Sequence, residues 1–282
     1  MKSKSPIKSL VVTIAIVAFV ALISLFLQLL VGDFPIEFFA FPMNVVVAAL
    51  WLLLLSELYR RRSSSPIAKY LLSQQATYIA LALAAIGGVA VGVAHTEISR
   101  MWWFVAMLIF VMSHLVMITL RGWRNQQGVR WRFLLNHAGL LLALFAGFWG
   151  AADVEELRVP LVEGRPNSEA YVREGRAIPL GYEMELLDFE SSYYDNGTPS
   201  DYVAEVRIDS RQATLRVNSP YRVRFGEDVY LVNYDKDLVG RTRCVVQIVR
   251  DRWQSALAVG IAMMLAGAML MFLQGARKGV ER

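Results

Sequence analysis

The most constraining feature of this sequence is a set of long apolar blocks. Each is close to the roughly 20 residues that an α-helix needs to cross a bilayer. Only 19% of the 282 residues are charged, against about a quarter in an ordinary soluble domain. The blocks predict six membrane-spanning helices: Leu10–Val31, Phe38–Ser56, Thr77–His95, Trp102–Leu120, Phe133–Gly150 and Ser255–Leu273. The chain is therefore expected to be a polytopic α-helical membrane protein.

The basic residues between these blocks predict the orientation of the helices. The segments "MKSKSPIK", "YRRRSSSPIAK", "RGWRNQQGVRWR" and "ARKGVER" hold fourteen of the 29 Lys and Arg residues, whereas the alternate loops "GDFPIE" and "TEISR" hold one. Short cytoplasmic loops are enriched in Lys and Arg. Both termini are thus expected in the cytoplasm, and the long segment between the fifth and sixth helices is expected outside.

The external segment reads as a β-rich domain. Five stretches alternate between apolar and polar residues, and turn-forming compositions separate them. A sixth stretch, Gly181–Tyr194, is a further strand candidate. The five are Tyr202–Ile208, Ala213–Asn218, Tyr221–Phe225, Val229–Tyr234 and Cys244–Val249. The chain then comprises a five-helix membrane region (1–150), an extracytoplasmic β-rich domain (151–253), and a sixth helix with a basic cytoplasmic tail (254–282).

Charge and motif content exclude several functions. The external segment holds nineteen Asp or Glu and fourteen Lys or Arg, so the basic residues of the chain anchor it in the membrane and do not indicate nucleic-acid binding. The single cysteine, Cys244, excludes an internal disulfide or a CxxC pair and is interpreted as a small apolar strand residue. The external segment has no histidine, which excludes a Ser-His-Asp triad confined to it.

All three histidines lie in or at the edge of the apolar blocks. His95 closes the third block at the outer face. His114 and His137 lie about four to six residues from the cytoplasmic ends of the fourth and fifth blocks, which predicts similar levels in the inner leaflet. Such a histidine either forms a hydrogen bond between helices or binds a ligand, since neutral imidazole ligates haem iron.

The residues that flank His137 suit a large amphiphile. Trp131 is a candidate stacking partner, and Arg130 and Arg132 are candidate partners for anionic groups such as haem propionates. The same arginines are equally explained as anchors at the cytoplasmic boundary. The flanks therefore leave both readings of His137 open.

From Phe133 onward the sequence resembles the ResB family of cytochrome c biogenesis proteins. The resemblance covers residues 133–272 and rests on the order of "FLLNHAGLLLALFAGFWGAADVEELRVPLVEGRP", "AIPLGYEMELLDFESSYYDNGTPSDYVAEVRI", "LRVNSPYRVRFGEDVYLVNYD" and "RTRCVVQIVRDRWQSALAVGIAMMLAGAMLMF". In this family an apolar helix with an early histidine leads into an external domain, and a final helix follows.

The resemblance implies a role in haem delivery by the system II pathway of bacteria. Family members work in the cytoplasmic (inner) membrane with a CcsA-type (ResC) partner, with the external domain in the periplasm. Together they move haem b outward and support its attachment to apocytochrome c. His137 matches the histidine that supplies an axial haem ligand, whereas His114 has no such support. The chain lacks the tryptophan-rich segment of the partner, so we expect a non-autonomous subunit of a haem lyase complex.

Two other readings stay open. One is a membrane scaffold that binds no haem, in which His137 bonds a neighbouring helix and the external domain docks a partner. The other is an enzyme or transporter with its own substrate site. The apolar blocks are nearly free of Asp and Glu, which disfavours proton- or ion-coupled transport.

Overall fold

The structure, a computed structural model, describes residues 6–94, 97–123, 130–173, 175–196, 199–236 and 242–274. It divides into two compact units. The helical unit comprises Met1–Ala152 and Ala256–Arg282, and the β unit comprises Asp153–Ser255.

The helical unit is built from seven α-helices within the described residues. Five of them are long and apolar enough to cross a membrane: α2, α4, α5, α6 (extended to Asp153) and α7. The first helix adds a shorter apolar stretch, Val17–Val31. The helices are α1 (Pro6–Val31), α2 (Met43–Arg60), α3 (Pro66–Leu71), α4 (Gln74–Val93), α5 (Trp102–Trp123), α6 (Trp131–Phe148) and α7 (Gln254–Gln274). The protein is therefore a membrane protein, while the count of six spans and their orientation remain predictions.

The fifth helix forms the centre of the helical unit. Two thirds of its apolar span is buried, whereas less than a third of each other span is buried. Large apolar side chains such as Leu29 (79% exposed) and Phe19 (64% exposed) project outward from the unit. An exposed apolar surface of this extent is what a lipid-facing helix requires, because no water is present in the bilayer core.

Serine and proline residues determine where helices α3 and α4 begin. Ser65 and Ser73 each accept a backbone N–H bond with their hydroxyl, from Ala68 (3.3 Å) and Ala76 (3.2 Å). These bonds satisfy N–H groups that the first turn of a helix leaves unpaired. Pro66 occupies the first helical position of α3, where its missing N–H costs nothing.

The β unit is one antiparallel sheet of eight strands that curls into a nearly closed barrel. Its strand order is β5-β4-β3-β2-β1-β8-β7-β6, so β5 and β6 are the edges. The strands are β1 (Glu155–Val162), β2 (Pro166–Tyr171), β3 (Ala177–Tyr193), β4 (Pro199–Ile208), β5 (Arg211–Arg216), β6 (Tyr221–Arg224), β7 (Glu227–Lys236) and β8 (Thr242–Arg250). The predicted membrane helices with a separate β domain are thus confirmed.

Alternation along the strands explains the core of the β unit. In β1, Leu157, Val159 and Leu161 are at most 1% exposed and the residues between them face outward. Period-two alternation places every second side chain on one face of a strand. Cys244 on β8 is 1% exposed within the same core, which confirms its interpretation as a buried apolar residue.

Candidate functional site

His137 lies in the second turn of α6, in contact with the residue one turn before it. Its ring stacks on Phe133, with centroids 3.9 Å apart and planes 24° apart. Its Nδ1 lies 2.8 Å from the Phe133 carbonyl oxygen. The side chain is half-buried, so it is partly open at the surface of the helical unit.

The Phe133 contact fixes which nitrogen of His137 carries the proton. A carbonyl oxygen can only accept, so Nδ1 must be the N–H donor in this bond. In the neutral ring, Nε2 then carries the free lone pair. Histidines that bind metals commonly donate the other ring N–H to a backbone carbonyl in this way. Within the described part of the chain no protein group bonds Nε2, so its donor chemistry fits a haem iron.

Only one of the flanking residues shares a helix face with His137. At roughly 100° per residue, Arg130 lies within about 20° of His137 around the axis, two turns nearer the helix start. Trp131 and Arg132 lie more than about 100° away on opposite sides. The ring of Trp131 contacts that of Trp123 on α5, with centroids 6.4 Å apart. Of the predicted amphiphile contacts, Arg130 therefore has the most suitable placement.

His114 lies inside the helical unit, where it contacts the end of another helix. It is 3% exposed, and its Nδ1 lies 2.7 Å from the carbonyl oxygen of Leu71, the last residue of α3. The last carbonyls of a helix have no partner within that helix. His114 therefore caps the C-terminus of α3. Its Nε2 is buried and has no hydrogen-bond partner, so a ligand would reach it only if its neighbours moved.

The packing of α5 on α6 places the two histidines at different levels. Phe133 packs against Gly122, where an added Cβ would collide with the phenyl ring. His137 lies four residues beyond Phe133, and His114 lies eight residues before Gly122. At 1.5 Å per residue in antiparallel helices, His114 is about 6 Å farther than His137 from the level at which Gly122 meets Phe133. The expectation of a shared level is corrected to a separation of about one turn. His95 lies outside the described residues.

Small residues bring α6 and α7 together on another face of α6. A Cβ added to Gly139 would lie 2.6 Å from the Gly260 carbonyl oxygen, and one added to Gly260 would lie 2.7 Å from the Gly139 carbonyl oxygen. Gly267 packs in the same way against the Asn136 side chain. Gly139 lies roughly 160° from His137 around the axis. Helix α7 therefore leaves the face of His137 uncovered.

An apolar cavity of about 200 Å³ lies elsewhere in the helical unit. Aromatic rings and aliphatic side chains from four segments line it, together with the buried amide of Asn44, which bonds the Trp149 carbonyl (3.3 Å). Its lining includes Phe34, Phe39, Trp51, Phe145 and Trp149. None of the sequence-predicted site residues lines this cavity.

The β unit contains a buried polar cluster that the sequence did not indicate. Glu227, 1% exposed, accepts a 2.6 Å hydrogen bond from the Tyr182 hydroxyl. Arg224 donates to its other oxygen at 2.7 Å, and the Arg250 guanidinium lies 3.3 Å away. Burial raises the pKa of Tyr182 well above its usual range, and the bond to Glu227 raises it further. The cluster joins β3, β6, β7 and β8.

Among the residues that the structure describes, no three His, Cys, Asp or Glu side chains meet to form a metal site. Residues 125–246 match the model of the ResB-like family. In this region the protein is ResB-like. No curated protein matches the sequence.

The ResB-like region includes α6 with His137 and most of the β unit. It covers somewhat less than half of the chain, and α1–α5 and α7 lie outside it. The resemblance found in the motifs is thus confirmed over the residues that the two ranges share. A ResB-like region points to involvement in cytochrome c biogenesis.

Proposed function

We propose that the protein is a ResB-like subunit of a membrane complex that delivers haem b across the bacterial cytoplasmic membrane and supports its attachment to apocytochrome c. The observation that carries the proposal is the state of His137. Its Nδ1 is bonded to the Phe133 carbonyl, and its Nε2 lone pair is open on a membrane helix inside the ResB-like region. In this proposal haem is the cargo of the complex.

Three groups of the chain would act on haem. The Nε2 atom of His137 would ligate the haem iron, and Phe133 holds the imidazole plane by stacking. Arg130, exposed and on the same face near the helix start, pairs with a propionate. Haem supplies the iron for ligation and the vinyl groups for the thioether bonds.

The open face of His137 supports a second protein in the site. The ring is half-buried by this chain, and α7 packs on a different face of α6. A CcsA-type partner would cover the His137 face and supply the second axial ligand. The β unit would lie in the periplasm, consistent with the scarcity of Lys and Arg in the short loops on that side.

The test is co-purification with a CcsA-type partner, with haem spectra of the wild type, His137→Ala and His114→Ala. The expected result is haem in the wild type, loss in His137→Ala, and recovery when imidazole is added to the growing cells and buffers. Ala at 137 leaves a space that free imidazole can occupy, so recovery identifies a ligand role. An unchanged spectrum in His137→Ala would favour the scaffold reading, in which the chain binds no haem. The ring would then serve packing alone, although its bond and stack are to Phe133 of its own helix and not to a neighbouring helix as that reading expected.

A further inference from the structure

The turn between β6 and β7 is bonded to the residues that begin α7. The Gly226 N–H donates to Gln254 Oε1 (2.8 Å), and the Gly226 carbonyl accepts from the Asp251 N–H (2.8 Å). Gly226 has φ +83°, and a Cβ there would lie 2.7 Å from the Asp251 carbonyl oxygen. Only glycine permits this approach. Gln254 is the first residue of a helix that is long and apolar enough to cross a membrane, so the turn is bonded to the residue at which this helix begins.

Phe225 projects from this turn with 58% of its surface exposed. The Arg222 guanidinium lies 5.6 Å from its ring centroid and leaves most of the ring uncovered. Trp253, the residue before Gln254 in the chain, donates its indole N–H to Asp153 Oδ2 (2.6 Å). Aromatic side chains at the entry point of a membrane helix favour the headgroup region, where one face meets apolar chains and the other meets water.

Exposed arginines surround Phe225. The side chains of Arg222, Arg224 and Arg252 are 53%, 67% and 66% exposed. The β2–β3 turn adds exposed Arg173 and Arg176 at the same end of the sheet, because Tyr171, the last residue of β2, pairs with Arg158 near the start of β1, and the start of β1 pairs with Arg250.

Most carboxylates at this end are held by protein donors. Asp228 is bonded by Arg222 and Gln254, and Glu227 is buried. Glu155 and Glu156 are exposed, with Glu155 in a loose 3.6 Å pair with Arg252. Arg222 and Arg224 are themselves paired with Asp228 and Glu227, so the cations left to bind a ligand are Arg173, Arg176 and Arg252. Among the described residues, these three outnumber the exposed Glu155 and Glu156 around the turn.

We propose that this end of the β unit, named here the Phe225 edge (Arg173, Arg176, Arg222, Arg224, Phe225 and Arg252), binds anionic phospholipid headgroups. Phe225 inserts at the interface, and Arg173, Arg176 and Arg252 pair with phosphates, for which guanidinium geometry is well suited. Arg222 and Arg224 stay bonded to Asp228 and Glu227 and add positive charge beside the ring. The occupant is lipid, because the bond from Gly226 to Gln254 places the edge at the entry of the chain's own membrane helix. Basic residues here do not conflict with the predicted orientation, since long external domains cross the membrane largely regardless of charge.

The test uses the full chain reconstituted in vesicles with one added cysteine. Phe225→Cys carries an environment-sensitive fluorophore, and Tyr194→Cys, 62% exposed just past the end of β3, is the matched control. The native Cys244 is buried, and the unsubstituted chain checks that it takes no label. A second edge site, Arg252→Cys, repeats the measurement without changing the turn.

Quenching by lipids that carry a nitroxide at the headgroup is expected to be at least about threefold stronger at 225 and 252 than at 194, with the reverse order for aqueous iodide. Including anionic lipid at ~30 mol% should strengthen the nitroxide quenching at 225. This increase should be smaller in the triple variant Arg173→Gln, Arg176→Gln, Arg252→Gln labelled at 225, because fewer cations then attract the anionic headgroups. Equal iodide quenching at the three sites would overturn the proposal. The proposal would also be overturned if the fluorophore at 225 were quenched neither by iodide nor by nitroxide lipid, because a protein surface would then cover that position.

Discussion

Glu227 and Arg250 face each other directly on β7 and β8, and their side chains meet inside the β unit. The Glu227 Oε1 atom accepts from Arg250 Nη2 at 3.3 Å, and the same guanidinium nitrogen donates to the Leu180 carbonyl at 3.0 Å. The carboxylate is almost fully buried. A buried charge is tolerated only when it is paired and hydrogen-bonded, so the cluster holds four strands in one arrangement.

Glu227→Ala is therefore expected to destabilise the β unit. The change leaves the Arg250 guanidinium, whose side chain is 21% exposed, without its carboxylate. Breaking a fully buried pair costs about 3–5 kcal/mol, which sets the upper end of the expected loss. Urea titration of the full chain in detergent, followed by pulse proteolysis of the β unit, measures this loss. The matched control is Arg216→Ala, which breaks the exposed pair with Asp201 (57% and 37% exposed) and should change stability by at most about 1 kcal/mol. Equal effects of the two substitutions would contradict the prediction.

Two glycines of α6 are expected to respond to alanine with opposite signs. At Gly139 the added Cβ would meet the Gly260 carbonyl, so the packing of α7 must shift, at a cost of about 1–3 kcal/mol. At Gly147 no atom lies within 4 Å of the Cβ position, so Gly147→Ala should be neutral or stabilise the helix by up to about 1 kcal/mol. The thermal midpoint of the purified protein in detergent distinguishes them. A drop for both variants would show that helix α6 does not tolerate a Cβ at either position.

Acid is expected to weaken the β unit through Asp228. The hydrogen bond from Arg222 holds the pKa of Asp228 below its usual value of 3.8. A lowered pKa in the folded state stabilises the fold fully above the unfolded pKa, and this contribution is lost as pH falls through the folded pKa. Asp228→Asn removes it, so the urea midpoint of the variant should change less between pH 7 and pH 3 than that of the wild type. Arg222→Gln should give the same reduced dependence, and a dependence unchanged in both variants would contradict the assignment.

Cys244 is expected to be unreactive in the folded protein. It is 1% exposed, and burial raises the pKa of its thiol to about 12, so almost no thiolate exists near pH 8. Maleimide labelling should be negligible in native conditions and complete in denaturant, as followed by mass spectrometry. Rapid native labelling would show that β8 opens or that its core face is accessible.

The sequence predicted the membrane helices and most strands, because both depend on local periodicity. The missed strands are β1 and β2. Pro160 and Pro166 disfavour strands by their missing N–H, yet β1 still alternates in burial and pairs along its whole length with β8. The Asn167 side chain donates to the Pro160 carbonyl at 2.9 Å, which helps to hold this pair.

The buried Glu227 could not be predicted from the sequence. It follows Phe225 and Gly226 in a stretch with the composition of an exposed turn, but the turn ends at Gly226 and Glu227 begins β7 facing inward. Its partners Arg250 and Tyr182 lie 23 and 45 residues away. The positions of the two histidines show the same limit of sequence-based prediction. Counting residues gives the distance of each histidine from the end of its own helix, but the level of one relative to the other depends on how Phe133 of α6 packs on Gly122 of α5.

The two membrane histidines are expected to differ in what their loss does to stability. The Leu71 carbonyl lies at the end of α3, and His114 Nδ1 is the partner that the structure gives it. His114→Ala leaves this buried carbonyl unpaired, which costs about 1–3 kcal/mol. The Phe133 carbonyl lies inside α6, where the backbone N–H four residues later already bonds it, so His137→Ala should cost well under about 1 kcal/mol. Thermal midpoints of the two variants, purified without partner or haem, give the comparison.

A lowered midpoint in His114→Ala together with an unchanged midpoint in His137→Ala would separate a structural histidine from one that is free for a ligand. The opposite order would assign the packing role to His137 and weaken its proposed role in haem binding.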